Sequence, residues 1–190
     1  DLEAASLPCA GLTAWSAVID QARTNPGDIV LTRGTGGVSV FAAQFAKLAG
    51  AVVIGTSSSN EKLQRLKDLG VDHTINYTET PEWARNAREI SDDRGVDVVV
   101  EVGGAGTLDQ SIKALRPGGV ACLIGVLSGS NHDFRLPLVV TRKIRMEGVT
   151  CGNREQFESM LSAIKQHNLK PALDEKTFSL EKLFLVCLLR

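Results

Sequence analysis

The chain has 190 residues, of which 43% are hydrophobic, and its formal net charge at pH 7 is −1. This length and apolar content are enough for one full hydrophobic core, so we expect one main domain. A near-neutral charge disfavours nucleic-acid binding, which requires an excess of clustered Lys and Arg.

The sequence also carries no signal for a membrane or for secretion. No apolar run approaches the roughly 20 residues of a membrane span, and the start of the chain lacks a basic segment followed by an apolar one. The four cysteines form no C-x-x-C pair, which is typical of a reducing compartment. We therefore expect a cytoplasmic protein with neither a membrane nor a nucleic acid as partner.

The first 26 residues predict a helix that leads into the main domain. Leu12, Trp15 and Val18 follow a helical spacing, which predicts a helix from about Ala10 to Gln21. Because the chain begins so soon before this helix, we interpret residues 1–26 as an entry helix from another domain.

Residues 28–59 predict a strand, a glycine turn, a helix and a second strand. Ile29–Leu31 is a β-branched apolar run, and the glycines of Gly34–Gly37 interrupt it. Apolar residues at helical spacing then continue from Val38 to Leu48, and Gly50 ends the helix. A second apolar run, Val52–Ile54, completes a βαβ unit.

The glycine turn of this unit predicts a phosphate site. Gly34 and Gly36 lack side chains, so a ligand can approach the backbone, and the first N–H groups of the following helix have no intrahelical partners. The spacing of Gly34, Gly36 and Ser39 nearly meets the dinucleotide fingerprint G-x-G-x-x-G, with a small Ser in the third place. We assign pyrophosphate contact to Gly34, Thr35, Gly36, Gly37 and Val38.

The rest of the chain continues to alternate between helices and strands. We predict helices over about 60–69, 81–91, 108–115 and 153–164, and strands over 71–77, 96–102, 120–126 and 143–150. Ser58 is expected to cap the first of these helices, and Pro117–Gly119 to form a turn. Residues 127–136 are interpreted as a loop, and 171–173 as a possible further strand.

Such alternation predicts an α/β fold with a doubly wound, Rossmann-type parallel sheet and helices on both of its faces. A ligand is then expected at the carboxyl ends of the strands. We assign residues 27–170 to this dinucleotide-binding domain. Residues 171–190 are interpreted as a C-terminal remnant with an atypical apolar tail.

Five motifs, in order along the chain, resemble the medium-chain dehydrogenase/reductase superfamily, in particular its alcohol dehydrogenase-like and quinone oxidoreductase-like members. The resemblance covers about Leu7 to Phe178, and its motifs are Leu7–Trp15, Gly34–Val38, Asn76–Tyr77, Glu101–Gly104 and Arg116–Gly119. It implies an oxidoreductase that moves a hydride between a nicotinamide and an alcohol, carbonyl, quinone or activated alkene. It also implies that Thr13, Gly103, Gly104, Gly125, Val126 and Leu127 contact the cofactor.

The residue after the second strand distinguishes the two nicotinamide cofactors. An NAD site generally has Asp or Glu there, whereas this chain has Ser57. A hydroxyl with Lys62 nearby could accept the 2′-phosphate of NADP, with Tyr77 completing the pocket. Family members with this Ser/Lys/Tyr pattern prefer NADPH, which the resemblance implies here as well.

The same resemblance implies parts that this sequence does not contain. Members carry a separate catalytic domain ahead of the matching segment, so we assign no catalytic residue, expect the substrate to bind through that domain and expect little turnover from this chain alone. Cys9 coincides with a zinc ligand of the zinc-dependent branch, but zinc requires three protein ligands, so we predict no metal site and a buried Cys9. Members commonly form homodimers through the sixth strand.

Two other classes of protein stay open from the residues alone. One is an S-adenosylmethionine-dependent methyltransferase, which also uses a glycine turn but normally has an acidic residue where Ser57 stands. The other is a non-catalytic nucleotide-binding or interaction module derived from this fold.

Overall fold

The computed structural model describes residues 1–131, 133 and 136–174. These residues form six strands and seven helices, alternating along the chain. The elements are α1 (Leu2–Gln21), β1 (Ile29–Arg33), α2 (Gly37–Leu48), β2 (Val52–Ser57), α3 (Asn60–Asp68), β3 (His73–Asn76), α4 (Trp83–Ile90), β4 (Val96–Glu101), α5 (Ala105–Ala114), β5 (Leu115–Leu123), α6 (Leu136–Arg142), β6 (Arg145–Gly148) and α7 (Arg154–Gln166).

The six strands form one all-parallel sheet in the order β3-β2-β1-β4-β5-β6. This confirms the predicted doubly wound, Rossmann-type α/β fold. The strand order reverses between β1 and β4, so their carboxyl ends open a crevice where such sheets bind ligands. The glycine turn after β1 lies at this crevice.

Two hydrophobic clusters cover the two faces of the sheet. On one face Val30 and Val53 pack with apolar residues of α1, α2, α3 and α7. On the other, Leu31 and Ile54 pack with residues of α4 and α5, and with the partly buried side of α6. Because neighbouring residues of a strand point to opposite faces, an uninterrupted apolar run is needed where both faces are covered.

The first helix is longer than predicted. It begins at Leu2 rather than near Ala10, and the segments Leu7–Gly11 and Ser16–Gln21 are π-helical. Its first turn is exposed and carries no apolar face, so hydrophobic spacing gave no signal there. This helix is long and apolar enough to cross a membrane, which the sequence analysis did not expect. Half of its most apolar window is buried inside the fold, as in the core helix of a globular domain.

Four further expectations were wrong in detail. α6 begins at Leu136 in a stretch that we interpreted as a loop, because Pro137 was taken as a turn signal although Pro is tolerated in the first turn of a helix. β5 begins at Leu115, and the Pro117–Gly119 segment lies inside a register shift between β4 and β5. Ser59, not Ser58, caps α3. Residues 171–173 form no strand.

Candidate functional site

The glycine turn forms an open cradle at the carboxyl end of β1. Gly34 has φ +73°, a conformation that favours glycine, and Gly36 is the N-cap of α2. A Cβ atom added to either glycine would meet nothing within 4 Å. α2 has no side-chain cap and no acidic residue in its first turn, so its positive end stays available to an anion.

Two buried hydroxyl groups fix the shape of this cradle. Ser39 is 1% exposed, and its Oγ donates to the Arg33 carbonyl. Thr56 Oγ1 accepts from the Gly34 N–H at 3.3 Å and donates to the Thr32 carbonyl at 3.2 Å. A serine in the third fingerprint place therefore allows close helix packing, as predicted.

The end of β2 places Ser57 beside the start of α3. Ser57 is 3% exposed, and its hydroxyl accepts from the Ser59 N–H at 3.3 Å. Ser59 in turn accepts from the Lys62 N–H, which caps α3. The Lys62 side chain is exposed at this same helix start. The structure thus brings Ser57 and Lys62 to one end of one helix.

The end of β3 adds an amide and carboxylate network that the sequence analysis missed. Asn76 Nδ2 donates to Asn60 Oδ1 at 2.8 Å and to Glu79 Oε1 at 2.9 Å, and Asn60 Nδ2 donates to the same Glu79 oxygen. Tyr77 follows directly and is partly buried. No spacing rule predicts this network, because it joins the start of α3 to the end of β3 and the residues that follow.

The last residue of β1 is a buried arginine. Arg33 is 7% exposed, and its guanidinium carbon lies 4.3 Å from the Trp83 ring centroid and 5.2 Å from that of Tyr77. Burial lowers the pKa of Arg33, while the charges of Glu101 and Tyr77 act in the opposite direction. A charged residue within an apolar strand was the available signal, and sequence reasoning left it unused.

The carboxylate at the end of β4 holds the next loop. Glu101 is 1% exposed, and it accepts from the N–H groups of Gly103 and Gly104 at 2.6 and 3.2 Å. The hydroxyls of Thr107 and Ser111 donate to the same carboxylate. The two glycine N–H groups thus already have partners, and both glycines are closely packed: an added Cβ atom would stand 2.3 Å from Thr107 Oγ1 at Gly103 and 2.7 Å from the Gly129 carbonyl oxygen at Gly104.

The loop after β5 lies close to the loop after β4. A Cβ atom on Gly125 would stand 2.1 Å from the Val102 carbonyl oxygen, so the two backbones meet there. Val126 and Leu127, by contrast, are 65% and 86% exposed. Their side chains are accessible at the carboxyl edge, beside the predicted nicotinamide half of the cleft.

The described residues around Cys9 do not form a zinc site. It is exposed, so the prediction of a buried Cys9 was wrong. Its neighbour is Cys151, whose sulfur lies 4.0 Å from the Cys9 carbonyl oxygen. The described residues contain no group of three or more His, Cys, Asp or Glu that could hold a metal ion, so they do not fit a zinc site.

Thr13 is buried in α1, while His132 and Cys187 lie outside the described residues.

Comparisons with known proteins bear on the family and the fold of this chain. Residues 37–166 match the family model described as zinc-binding dehydrogenase. A zinc-type alcohol dehydrogenase-like protein of Schizosaccharomyces pombe is 40% identical over 187 residues, which is 95% of this chain and 54% of that protein.

Two solved structures extend the match. An NAD-dependent alcohol dehydrogenase has a TM-score of 0.82 at 38% identity, covering 90% of this chain and 50% of its own. The 2-octenoyl-CoA carboxylase reductase CinF, solved with NADP and 2-octenoyl-CoA, has a TM-score of 0.80 at 27% identity, covering 90% of this chain and 43% of its own. The chain therefore spans about half the length of the relatives that it matches.

Proposed function

We propose that this chain, which belongs to the zinc-binding dehydrogenase family of medium-chain dehydrogenases/reductases, is the NADP(H)-binding part of an oxidoreductase. The observation that carries the proposal is the open cradle of Gly34 and Gly36 at the start of α2. It combines unhindered backbone, a helix N-terminus and the topological switch point of the sheet. Each of these three features favours the binding of a pyrophosphate.

The chain's own residues then perform three tasks. The first turn of α2 holds the pyrophosphate through its N–H groups, and Ser39 and Thr56 keep that turn in shape. Ser57 and Lys62 receive the adenosine ribose and its 2′-phosphate. Gly103 and Gly125 let the protein pack closely at the loops after β4 and β5, and these loops face the nicotinamide half of the cofactor. The bound nicotinamide supplies or accepts the hydride, and the protein contributes its position and orientation.

The preference for NADP(H) follows from charge at the end of β2. A carboxylate at this position would accept from the ribose hydroxyls of NAD and would repel a 2′-phosphate. Ser57 removes that repulsion, and the exposed Lys62 ammonium supplies a positive charge at the same helix start. The relative solved with NADP supports this choice, whereas the NAD-dependent relative makes the test below necessary.

The decisive experiment titrates the chain with NADPH and NADH, following nucleotide fluorescence. Wild type is expected to bind NADPH more tightly. Lys62→Ala should weaken NADPH binding about tenfold, because a charge-assisted contact contributes on the order of 1–3 kcal/mol, and should leave NADH binding almost unchanged. Lys67→Ala, at an exposed position of the last turn of the same helix, is the matched control. Equal losses for both nucleotides would refute the assignment of Lys62.

The reaction proposed for the whole protein is hydride transfer to or from an alcohol, carbonyl or activated alkene. Among the described residues none stands as a general acid or base in the cradle, so we infer that catalytic groups come from outside them. Four exposed apolar side chains follow β5, namely Val126, Leu127, Leu136 and Val140. We infer that a second copy or a further domain covers them, since exposed apolar surface marks interaction sites.

A further inference from the structure

The buried arginine at the end of β1 has no role in the function derived so far. Arg33 forms no ion pair with a described carboxylate, and its Nε is buried without a hydrogen-bond partner in the part of the chain that the structure describes. Its closest polar contact is a long one, 3.5 Å from Nη1 to Thr56 Oγ1. The nearby carboxylate of Glu101 is already held by two N–H groups and two hydroxyls.

An incompletely paired buried cation is unfavourable for folding alone. Taking a charge out of water costs several kcal/mol unless a partner compensates, and two ring contacts recover only part of that cost. An apolar side chain would fill the same space without this penalty. An interaction with a bound ligand therefore explains the charge of Arg33 better than a role in folding does.

The position of the guanidinium indicates which ligand group is concerned. It lies against the ring of Tyr77, beside Thr56, where β1, β2 and β3 end. Ser57, Lys62 and Tyr77 mark this corner as the adenosine end of the proposed cofactor site. The guanidinium lies over both the Tyr77 and the Trp83 ring, so it can also fix the Tyr77 ring, which the sequence analysis assigned to this corner of the site.

We propose that Arg33 is a positioning and specificity-determining residue for the adenosine 2′-phosphate. It holds Tyr77 in place by stacking and supplies a fixed positive charge beneath the pocket. This inference rests on the proposed binding of NADP(H). It differs from the role of Lys62, because a buried charge is screened by salt much less than an exposed one.

The test measures dissociation constants by calorimetry for two matched pairs of ligands, NADPH with NADH and 2′,5′-ADP with 5′-ADP. Arg33→Gln is expected to weaken binding of the 2′-phosphorylated member of each pair roughly tenfold and that of the other less than about threefold, since a unit charge acts over several Å at intermediate dielectric. Arg33→Lys keeps the charge but loses the planar stacking on Tyr77, so it can weaken both members of a pair while the ratio stays within about threefold of wild type. Arg85→Gln, on the exposed side of α4, is the control.

Three outcomes would overturn the inference. Equal losses within each pair would give Arg33 a merely structural role, and a ratio that falls as far in Arg33→Lys as in Arg33→Gln would exclude its charge as the cause. If Arg33→Gln does not fold, Lys62→Ala provides the test, because Arg33 should then leave at least about a threefold preference for NADPH that persists at high salt. A preference of Lys62→Ala that is smaller than this, or that disappears at high salt, is the third outcome that would overturn the inference. Failure of wild type to bind either nucleotide would instead refute the proposed function itself.

Discussion

Two buried charged residues at opposite edges of the sheet, Asp97 and Arg33, differ in how they are paired. At the amino edge, Asp97 accepts from the Ile29 N–H at 2.8 Å and is paired with Arg94 and Arg116. At the carboxyl edge, Arg33 has no carboxylate partner among the described residues, and the first turn of α2 has no side-chain cap. The amino edge is closed by its own contacts, whereas the carboxyl edge is left open where β1 ends, although Glu101 at the end of β4 is fully paired.

The difference separates residues that stabilise the fold from residues that serve a ligand. Asp72 repeats the pattern of Asp97 at the amino edge, since it accepts from the Val53 N–H at 2.7 Å and pairs with Lys47. Groups that complete each other within the protein have nothing left for a ligand. Groups that stay incomplete cost stability, and we expect a binding function where they gather.

The largest expected effect concerns the closed edge. Asp97→Asn should lower the free energy of unfolding by about 2–4 kcal/mol at pH 7, because Arg94 and Arg116 lose their charged partner around a side chain that is 4% exposed. Urea denaturation measures the loss, and the exposed Asp68→Asn on α3 should cost less than about 0.5 kcal/mol. Nucleotide affinity of the folded variant should stay unchanged, since Asp97 lies at the opposite edge.

The loss of unfolding free energy in Asp97→Asn should become smaller as the pH is lowered. Burial acts to raise the pKa of Asp97, but the hydrogen bonds from Ile29, Arg116 and Arg94 outweigh it and hold the pKa below its ordinary 3.8. The stabilisation is therefore present above pH 3.8 and is lost as the pH falls through the lowered value. The gap between wild type and Asp97→Asn should narrow over that range; a gap that widens would contradict the pairing.

The second effect is on binding and concerns the open edge. Gly36→Ala should weaken NADPH and NADH alike by at least about tenfold, because the new methyl group points into the space that the pyrophosphate needs. Its cost in unfolding free energy should be less than about 1 kcal/mol, since that Cβ meets nothing within 4 Å. Calorimetry measures the change in nucleotide affinity, and urea denaturation of the same samples measures the change in unfolding free energy.

Gly148→Ala is the matched control for this substitution. Its Cβ also meets nothing within 4 Å, but it lies at the end of β6, away from the cradle. It should change neither stability nor affinity. If Gly36→Ala unfolds the protein, or if it spares both nucleotides, the division between a closed and an open edge fails at its central residue.

Sequence predicted the strands of this fold better than its irregular parts. β1, β2 and β4 are covered on both faces, so they had to be continuous apolar runs such as Val98–Val100, which are visible in one sequence. α6 was missed because its face is only partly covered and its second residue is a proline. The register shift in β5 depends on pairing with β4, which a local pattern does not contain.

The candidate site divides in the same manner. The cradle was predictable because glycines and a helix start are local signals, and Ser57 was predictable because it ends an apolar strand. The stacking of Arg33 with Trp83 and the network around Glu79 join segments that are distant in sequence. Their geometry exists only once β1, β3 and α4 are assembled.

The smallest expected effect tests the exposed apolar residues of the open edge. Val126→Ser combined with Leu127→Ser should change the free energy of unfolding by less than about 0.5 kcal/mol, because both side chains already contact water. Val100→Ser, in the fully buried part of β4, should cost about 2 kcal/mol or more in the same denaturation assay, because it buries an extra hydroxyl and loses apolar contacts.

Sedimentation should show weaker association for the double variant, since these residues are inferred to be covered by a partner surface. A large loss of stability would mean instead that they pack within the chain, and the carboxyl edge would then be less open than its exposure indicates.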